Sequence, residues 1–503
     1  MLSFMDGLNP EQQQAVMTTE GPLLVLSGAG TGKTYTVISK ILYSIESLNI
    51  NPSDILALTF TNAAGKEMEA RYKASSTQVA SPYFGTFHSF CYKLLRENLA
   101  ICKKLGYDDV PEVINDFQER TIHTKAQMLT NVGLRKAAYH ITYQPTKAEK
   151  FEFDVFHKTV DKLLRENNKI TFDRLCYWVC DLFTQNDPLI AEYLSKYKYV
   201  YVDEFQDTDK LQWKFVQSFL NHSTVIVVGD VRQCLYSFRG ADSSIIKSLL
   251  KDDEWTTIKL EQNYRSTKII CDYANNFVKK YNDDVENIEL VASREGPTLR
   301  HTTCKKFLDN IASIKNDDVH TTAIICRTNA EIKYITEALN FAKIPYRTKE
   351  SKHFGALAVC SFDTDFRRSY LLNLLPEAEK AETLRKMYLD KNYDPLFELE
   401  LRFNDLMDRI NSFEEYPEYD IIRQLYELGE LNLSDLSDSM LMQTSNDLYV
   451  GTIHSVKGLE FDSVYVYGVN SRSFDVMKNE DMMNLYYVAC TRAKTLLTII
   501  TEN

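Results

Sequence analysis

The stretch LLVLSGAGTGKTYT, Leu23 to Thr36, decides how the rest of the chain is read. Its apolar run Leu23 to Leu26 predicts a short buried strand, the glycines at 28, 30 and 32 a tight loop, and Tyr35 to Leu48 a helix. Strand, glycine loop and helix in that order make a phosphate-binding context. Glycines let backbone N–H groups converge on phosphates, a lysine reaches the outer phosphates, and a neighbouring hydroxyl holds Mg²⁺ at the positive end of the helix. Lys33 and Thr34 fit those two parts, and Ser27, Gly28, Ala29, Gly30, Thr31 and Gly32 form the cradle. Ser27 stands where the usual pattern has Gly or Ala, and a small residue still fits. A nucleoside triphosphate with Mg²⁺ is the expected ligand. Nucleotide switches, metabolic kinases and motors all cradle phosphates this way, so the loop alone leaves the three open.

The length of 503 residues is that of about three or four domains. A hydrophobic fraction of 44% and a charged fraction of 25% are those of an ordinary globular protein. The net charge of −12 argues against a broad nucleic-acid-coating surface. A groove that grips a few nucleotides needs only local basic and aromatic groups, so acidity weighs little against it. Ten cysteines are scattered without a CxxC pair, which suggests neither a zinc site nor a disulfide framework. Cys176 and Cys180, four apart in an apolar helical stretch, read as packing. No signal pattern and no bilayer-length apolar run is present, so a cytoplasmic, reduced protein without membrane contact is expected.

Short β-rich runs recur between helical segments: LLVL, ILALTF, YVYVDEF and TVIVVGD, then TTIKL, AIICR, YVGTI, SVYVYGV and LLTII. Strands alternating with helices predict parallel α/β sheets, and these are too many for one modest sheet. Two tandem α/β cores follow. The pattern turns helical from 96 to 190, as in FDVFHKTVDKLLREN, and again from 376 to 446, as in LFELELRFNDLMDRI. The expected organisation is a first core at 1–95 and 191–258 interrupted by a helical insert at 96–190. A second core at 259–375 and 447–503 is interrupted by a reduced insert at 376–446. No internal repeat is evident.

YVYVDEFQDTD places Asp203 and Glu204 at the end of a strand. An enzyme with a phosphate loop needs one carboxylate there to hold Mg²⁺ and an adjacent one to orient or deprotonate the attacking water. Asp203 suits the first role and Glu204 the second. Gln233, in VVGDVRQCLYSFRGAD, follows another buried strand and is placed to sense the γ-phosphate. Charge accumulating on the transferred phosphoryl group calls for arginine, and EQNYRST and LYYVACTRAK offer Arg265 and Arg492. Both lie beyond the first core in sequence, so ATP is expected in the cleft between the cores. Phosphate chemistry would then drive domain motion, which favours a motor.

With these motifs in order from Leu8 to Lys494, the chain resembles the superfamily 1 helicases of the UvrD/Rep/PcrA group. The matching segments are LNPEQQQAV, LTFTNAAGKEMEAR, GTFHSF, DEFQDTD, GDVRQCLYSFRGAD, QNYRS, GTIHSVKGLEFD and YYVACTRAK, beside the phosphate loop itself. The resemblance covers roughly the two cores. It implies an α/β fold of two tandem RecA-like motor domains with two mostly helical inserts. It implies a DNA-dependent ATPase that translocates 3′ to 5′ on single-stranded DNA and unwinds duplexes. It also assigns adenine recognition to Gln12, stacking on adenine to Tyr264, ribose contact to Glu460, and the γ-phosphate to Gln233, Arg265 and Arg492. DNA contacts would come from Phe60, Thr61, Asn62, Phe87, His88, Tyr236, Phe238, Arg239, Thr452, His454 and Ser455. Aromatic and small polar groups at strand ends suit sequence-tolerant stacking and phosphate contact.

Tyr35 stands where the family commonly has an arginine beside the adenine, so the base would be sandwiched between aromatics. Phe238 stands where tryptophan is common. The second insert is shorter than the family's, and the sequence ends soon after TRAK, so neither a partner-binding tail nor a fused nuclease is expected. In these respects the chain resembles the helicase subunit of the Gabija antiviral system. That resemblance gives a second expectation, a DNA-sensing subunit working with an OLD-like nuclease in antiviral defence. A replication or repair protein is the other expected class of partner.

Overall fold

The structure is a computed structural model. It describes residues 5–348 and 448–502, apart from 77, 135, 142, 144, 186, 238, 239, 282–287 and 315–320, together with 381, 383 and 386. The helical insert expected at 376–446 therefore lies almost wholly outside the described residues, as do Phe238 and Arg239. The chain divides into two compact units, Met1–Leu299 with Asp475–Leu496, and Arg300–Phe474 with Leu497–Asn503.

The first unit begins with strands β1 (Leu23–Ser27), β2 (Ile55–Thr59) and β3 (Tyr83–Thr86). A helical excursion follows, holding the short parallel pair β4 (Glu112–Val113) and β5 (Lys169–Ile170). The chain then returns as β6 (Tyr199–Val202), β7 (Thr224–Gly229) and β8 (Thr256–Leu260). The strand order is β3-β2-β6-β7-β1-β8, and every neighbouring pair is parallel. Both faces of this sheet are covered, which is why its strands read as continuous apolar runs. Alternate residues divide between two core layers. Leu24, Leu26, Leu56, Leu58, Val200 and Val202 enter one, and Leu23, Val25, Ile55, Ala57, Tyr199 and Tyr201 the other.

The helical excursion has a core of its own around Phe156, Val160, Leu163 and Leu164. Its fully buried Arg174 donates to Asp161 Oδ1 at 2.6 Å and to His157 Nδ1 at 2.8 Å. An arginine cannot accept, so His157 is neutral at Nδ1 and carries its proton on Nε2, 3.0 Å from the Ala138 carbonyl.

The second unit contains β9 (Arg300–Thr303), β10 (Thr322–Cys326), β11 (Arg347–Thr348), β12 (Leu448–Thr452), β13 (Phe461–Val469) and β14 (Ala493–Thr501), the last entered from the first unit. Their order is β11-β12-β10-β13-β14-β9. Strands β12 and β13 flank β10 in parallel, with Ile324, Cys326, Val450, Ile335 and Leu339 in the core. The two tandem α/β cores expected from the strand and helix alternation are thus present, with parallel pairing in both.

Residues 259–299 and 475–496 group by their contacts with the first unit. Helix Lys268–Tyr281 packs on helix Glu480–Cys490, where the Tyr273 and Tyr486 hydroxyls are 2.6 Å apart and Phe277 meets Tyr486 edge-on at 4.9 Å. Arg265 and Arg492, distant in sequence, therefore belong to the same unit as the glycine loop.

Candidate active site

The loop after β1 is held by its own hydroxyls. Thr31 Oγ1 donates to the Gly28 carbonyl at 2.9 Å, and Ser27 Oγ lies 2.7 Å from Thr31 Oγ1. The serine at the first loop position thus supplies a bond that glycine or alanine lacks. Gly30 and Gly32 have φ of +72° and +83°. A Cβ on Gly30 would lie 2.7 Å from Arg265 Cβ, and one on Gly32 2.8 Å from Gln12 Nε2. Both the backbone conformation and the close approach require glycine. Gly32 precedes helix Lys33–Glu46, whose first turn leaves N–H groups for an anion.

Gln12 is buried in helix Pro10–Met17, forms a capping box with Asn9, and donates from Nε2 to the Thr31 carbonyl at 3.0 Å. The carboxyl end of that helix is gripped by Lys40, whose Nζ donates to the carbonyls of Ala15 at 3.0 Å and Val16 at 3.3 Å, and also to Thr18. Burial lowers the Lys40 pKa to about 8. Tyr35 is exposed, and its hydroxyl donates to the Asp6 carbonyl at 3.3 Å.

Asp203 is buried at the end of β6, and its Oδ1 accepts from the Glu204 N–H at 3.0 Å. Glu204 follows with φ of +53°, a left-handed conformation that costs a non-glycine residue about 1 kcal/mol. Its carboxylate lies 4.0 Å from Lys33 Nζ and accepts from Gln206 Nε2. Gln206 in turn accepts from the Asp230 N–H at 3.0 Å, tying the acidic turn to the end of β7. Just beyond, Gln233 Nε2 donates to Asp230 Oδ2 at 2.8 Å.

Arg492 is buried at the end of helix Glu480–Cys490. It donates to Gln233 Oε1 at 3.3 Å and to the Val488 carbonyl at 3.1 Å. Arg265 donates to the Thr491 carbonyl at 3.4 Å. Asn263 organises this turn. Its Nδ2 donates to the Ala29 carbonyl at 2.6 Å, and its Oδ1 accepts from the N–H groups of Arg265 and Ser266 at 2.8 and 2.7 Å. The exposed Tyr264 donates its N–H to the Gly30 carbonyl at 2.9 Å. The glycine loop, two acids, Gln233 and two arginines are therefore linked within one unit by an ion pair and a chain of hydrogen bonds that passes through Gln206, Asp230 and Asn263. Gln206 and Asn263 were not among the predicted residues. Their signal was a polar side chain inside a motif whose other members carry the chemistry.

Of the residues expected to meet DNA, Phe60 and Tyr236 stack on each other with ring centroids 4.7 Å apart and planes at 21°. Thr61 caps helix Asn62–Ser75 and Asn62 is exposed. Phe87 is in the core, edge-on to Phe215 at 5.8 Å, so its ring is not presented to a base. His88 is half-buried beside Phe172. In the second unit Thr452, His454 and Ser455 form a turn after β12 in which Ser455 Oγ donates to the Thr452 carbonyl at 2.8 Å, while Glu460 is exposed.

Residues 8–254 match the family model for the UvrD/REP helicase N-terminal domain, and residues 258–356 and 364–503 that for the UvrD-like helicase C-terminal domain. The chain belongs to the UvrD/Rep helicase family. It is 29% identical to a probable DNA helicase II homolog of Mycoplasma capricolum, over 98% of this chain and 84% of that protein. It is 27% identical to the ATP-dependent DNA helicases PcrA of Staphylococcus epidermidis and Staphylococcus aureus, over 99% of this chain and 84% of each relative. Among the described residues no helix is long and apolar enough to cross a membrane.

Proposed function

We propose that this chain is an ATP-dependent DNA helicase whose motor translocates 3′ to 5′ on single-stranded DNA. The observation that carries the reading is the bonded constellation of glycine loop, Lys33, Glu204, Gln233 and Arg492 in a member of a helicase family. The loop fits a triphosphate because its glycines leave no room for side chains and the following helix presents free N–H groups. Lys33 takes the outer phosphates. Thr34 and Asp203 are the residues that would hold Mg²⁺, a hydroxyl and a buried carboxylate being the oxygen donors that ion prefers. The ion would neutralise phosphate charge.

Glu204, already within reach of Lys33, orients the water that attacks the γ-phosphorus and takes its proton. Arg265 and Arg492 neutralise the charge that builds on the transferred group, and Gln233 links Arg492 to the Asp230 turn. Tyr264 and Gln12 hold the base side. Phe60, Tyr236, His88, Thr452, His454 and Ser455 serve the DNA. Phe87 instead supports His88 from the core. The DNA-sensing role beside a nuclease rests on no observation of the fold or of these relatives.

The test is steady-state ATP hydrolysis by the purified chain with and without single-stranded DNA, using Lys33→Ala as the blank. DNA stimulation supports the reading, and a rate indifferent to DNA overturns it. Polarity is read separately, from displacement of a protein block placed at the 3′ or the 5′ end of a DNA strand. Faster loss of the block at the 5′ end fits 3′ to 5′ movement.

A further inference from the structure

Helix Phe87–Glu97 buries Cys91, and helix Phe172–Thr184 buries Cys176 and Cys180, whose spacing of four puts them on one face. The two helices pack together in the first unit, and the three sulfurs converge. Cys176 Sγ and Cys180 Sγ are 3.8 Å apart, and all three Sγ atoms lie within 4.8 Å of one another. None of the three side chains is more than 6% exposed. They are the one group of three potential metal ligands with this spacing among the described residues.

The size of the triangle is informative. A metal–sulfur bond of about 2.3 Å sets three thiolates about 4 Å apart around a shared ion. The sulfurs of this cluster are already at that separation to within a few tenths of an ångström on one edge, with the other edges at most 4.8 Å. A disulfide would join only two of them and leave the third. Packing alone accounts for a buried cysteine, as at Cys102, whose thiol donates to the Leu95 carbonyl at 3.2 Å. Weak thiol hydrogen bonds draw such sulfurs together, as between Cys176 and Cys180, and a shared ion would satisfy all three at once. The donor set is all sulfur, which selects soft ions over Mg²⁺ or Ca²⁺.

We propose that Cys91, Cys176 and Cys180 form a thiolate site for one thiophilic d¹⁰ metal ion, copper(I) or zinc(II). Copper(I) is satisfied by three thiolates, whereas zinc(II) requires a fourth ligand. Binding displaces three thiol protons and closes the sulfur triangle. The ion then ties helix Phe172–Thr184 of the helical excursion to helix Phe87–Glu97, so the site is a staple and takes no part in phosphate chemistry.

The test uses the full chain, purified reduced and stripped of metal. One portion receives copper(I) without oxygen and another zinc(II), each with a competing chelator, and bound metal is counted by elemental mass spectrometry. One ion per chain is expected in at least one portion. Alkylation mapping should show Cys91, Cys176 and Cys180 protected together, and Tm should rise by at least about 3 °C. Cys91→Ser, Cys176→Ser and Cys180→Ser should each weaken retention by at least about tenfold, as loss of a ligand does, and Cys102→Ser should not. Because the count on the unmodified chain decides the matter, a variant that fails to fold does not blunt the test. No retained metal in either portion overturns the proposal. So does a disulfide formed among the three in place of uptake, or metal that persists when all three are serine.

Discussion

Tyr83–Ser89 and Tyr449–Ser455 share tyrosine, glycine, threonine, histidine and serine at identical spacing, one stretch in each unit. Each stands at the end of a strand and builds the same turn. In the first, the Tyr83 hydroxyl donates to Ser89 Oγ at 3.0 Å and Ser89 Oγ donates to the Thr86 carbonyl at 2.9 Å. In the second the equivalent distances are 3.2 Å to Ser455 and 2.8 Å to Thr452. Glycine is required in both because a Cβ would lie 2.6 Å from Ser89 Oγ at Gly85 and 2.5 Å from Ser455 Oγ at Gly451. The residue before each histidine, Phe87 or Ile453, is buried, and each histidine is half-buried. This turn is a short internal repeat, too brief to stand out from the sequence alone. What differs is the continuation. The first turn starts an 11-residue helix and leads into the helical excursion, whereas the second runs on as turns towards β13. The glycine phosphate loop is found with the first alone among the described residues. A shared turn thus serves two sheets, while the glycine loop and its hydrogen-bonded partners belong to one.

The sharpest way to break that division is at Arg492. Arg492→Ala should lower ATP turnover by about 10³-fold or more, about 4 kcal/mol of barrier, with ATP binding largely kept. Turnover and nucleotide binding measured on one preparation check this. Loss of binding with little loss of turnover would remove Arg492 from the transition state. Acid distinguishes the first unit from the second by another route, because the excursion that follows the first turn encloses His123. Burial, aided by the positive charge of Arg174, lowers the His123 pKa from 6.5 to about 4. Above pH 6.5 the ring is neutral in both folded and unfolded chains and contributes nothing. As pH falls from 6.5 towards 4 the unfolded chain takes up the proton and the folded one does not, so stability is lost, by on the order of 3 kcal/mol. Denaturant unfolding across this range should show the loss in the native chain and less of it in His123→Phe.

How much of this was legible in the sequence follows from how each residue acts. The phosphate loop works through its backbone, so glycine spacing with Lys33 and Thr34 announces it directly. Asp203 and Glu204 are legible because an apolar strand ends on them. Asn263 and Gln206 were harder to see, since each lies in a motif but bonds a partner, Ala29 or Asp230, that is distant in sequence. Phe87 was misjudged because a motif does not say which of its members face inward. Cys176 and Cys180 do pack in the core as read, and what the sequence hid is their nearness to Cys91, which is on a helix far upstream. Asn263→Ala tests the reading of that hidden layer. By freeing Arg265 and the loop together it should lower turnover by about 10²-fold, as a misplacement of about 1 Å does, with a smaller change in ATP affinity. Loss of ATP affinity with turnover unchanged would make Asn263 part of the binding surface alone.

Substitutions within the twin turns give smaller effects and compare the units directly. Gly85→Ala and Gly451→Ala each force a Cβ against a serine hydroxyl and should destabilise their own unit by about 2 kcal/mol, read from denaturant unfolding. A loss at one glycine only would mean that the two turns are alike in residues but not in tightness. The serines discriminate more finely. Ser455 Oγ accepts from the Tyr449 hydroxyl and donates to one carbonyl, whereas Ser89 Oγ does both and also accepts from the Thr86 N–H at 2.7 Å as half of a capping box. Removing Ser89 therefore strips an N–H of its partner at a helix start, which Ser455→Ala does not. Ser89→Ala should cost about 1–2 kcal/mol and Ser455→Ala about 1 kcal/mol or less. If the order is reversed, the capping bond is not what separates the turns, and the surroundings of His454 hold the second turn more firmly than its own hydrogen bonds do.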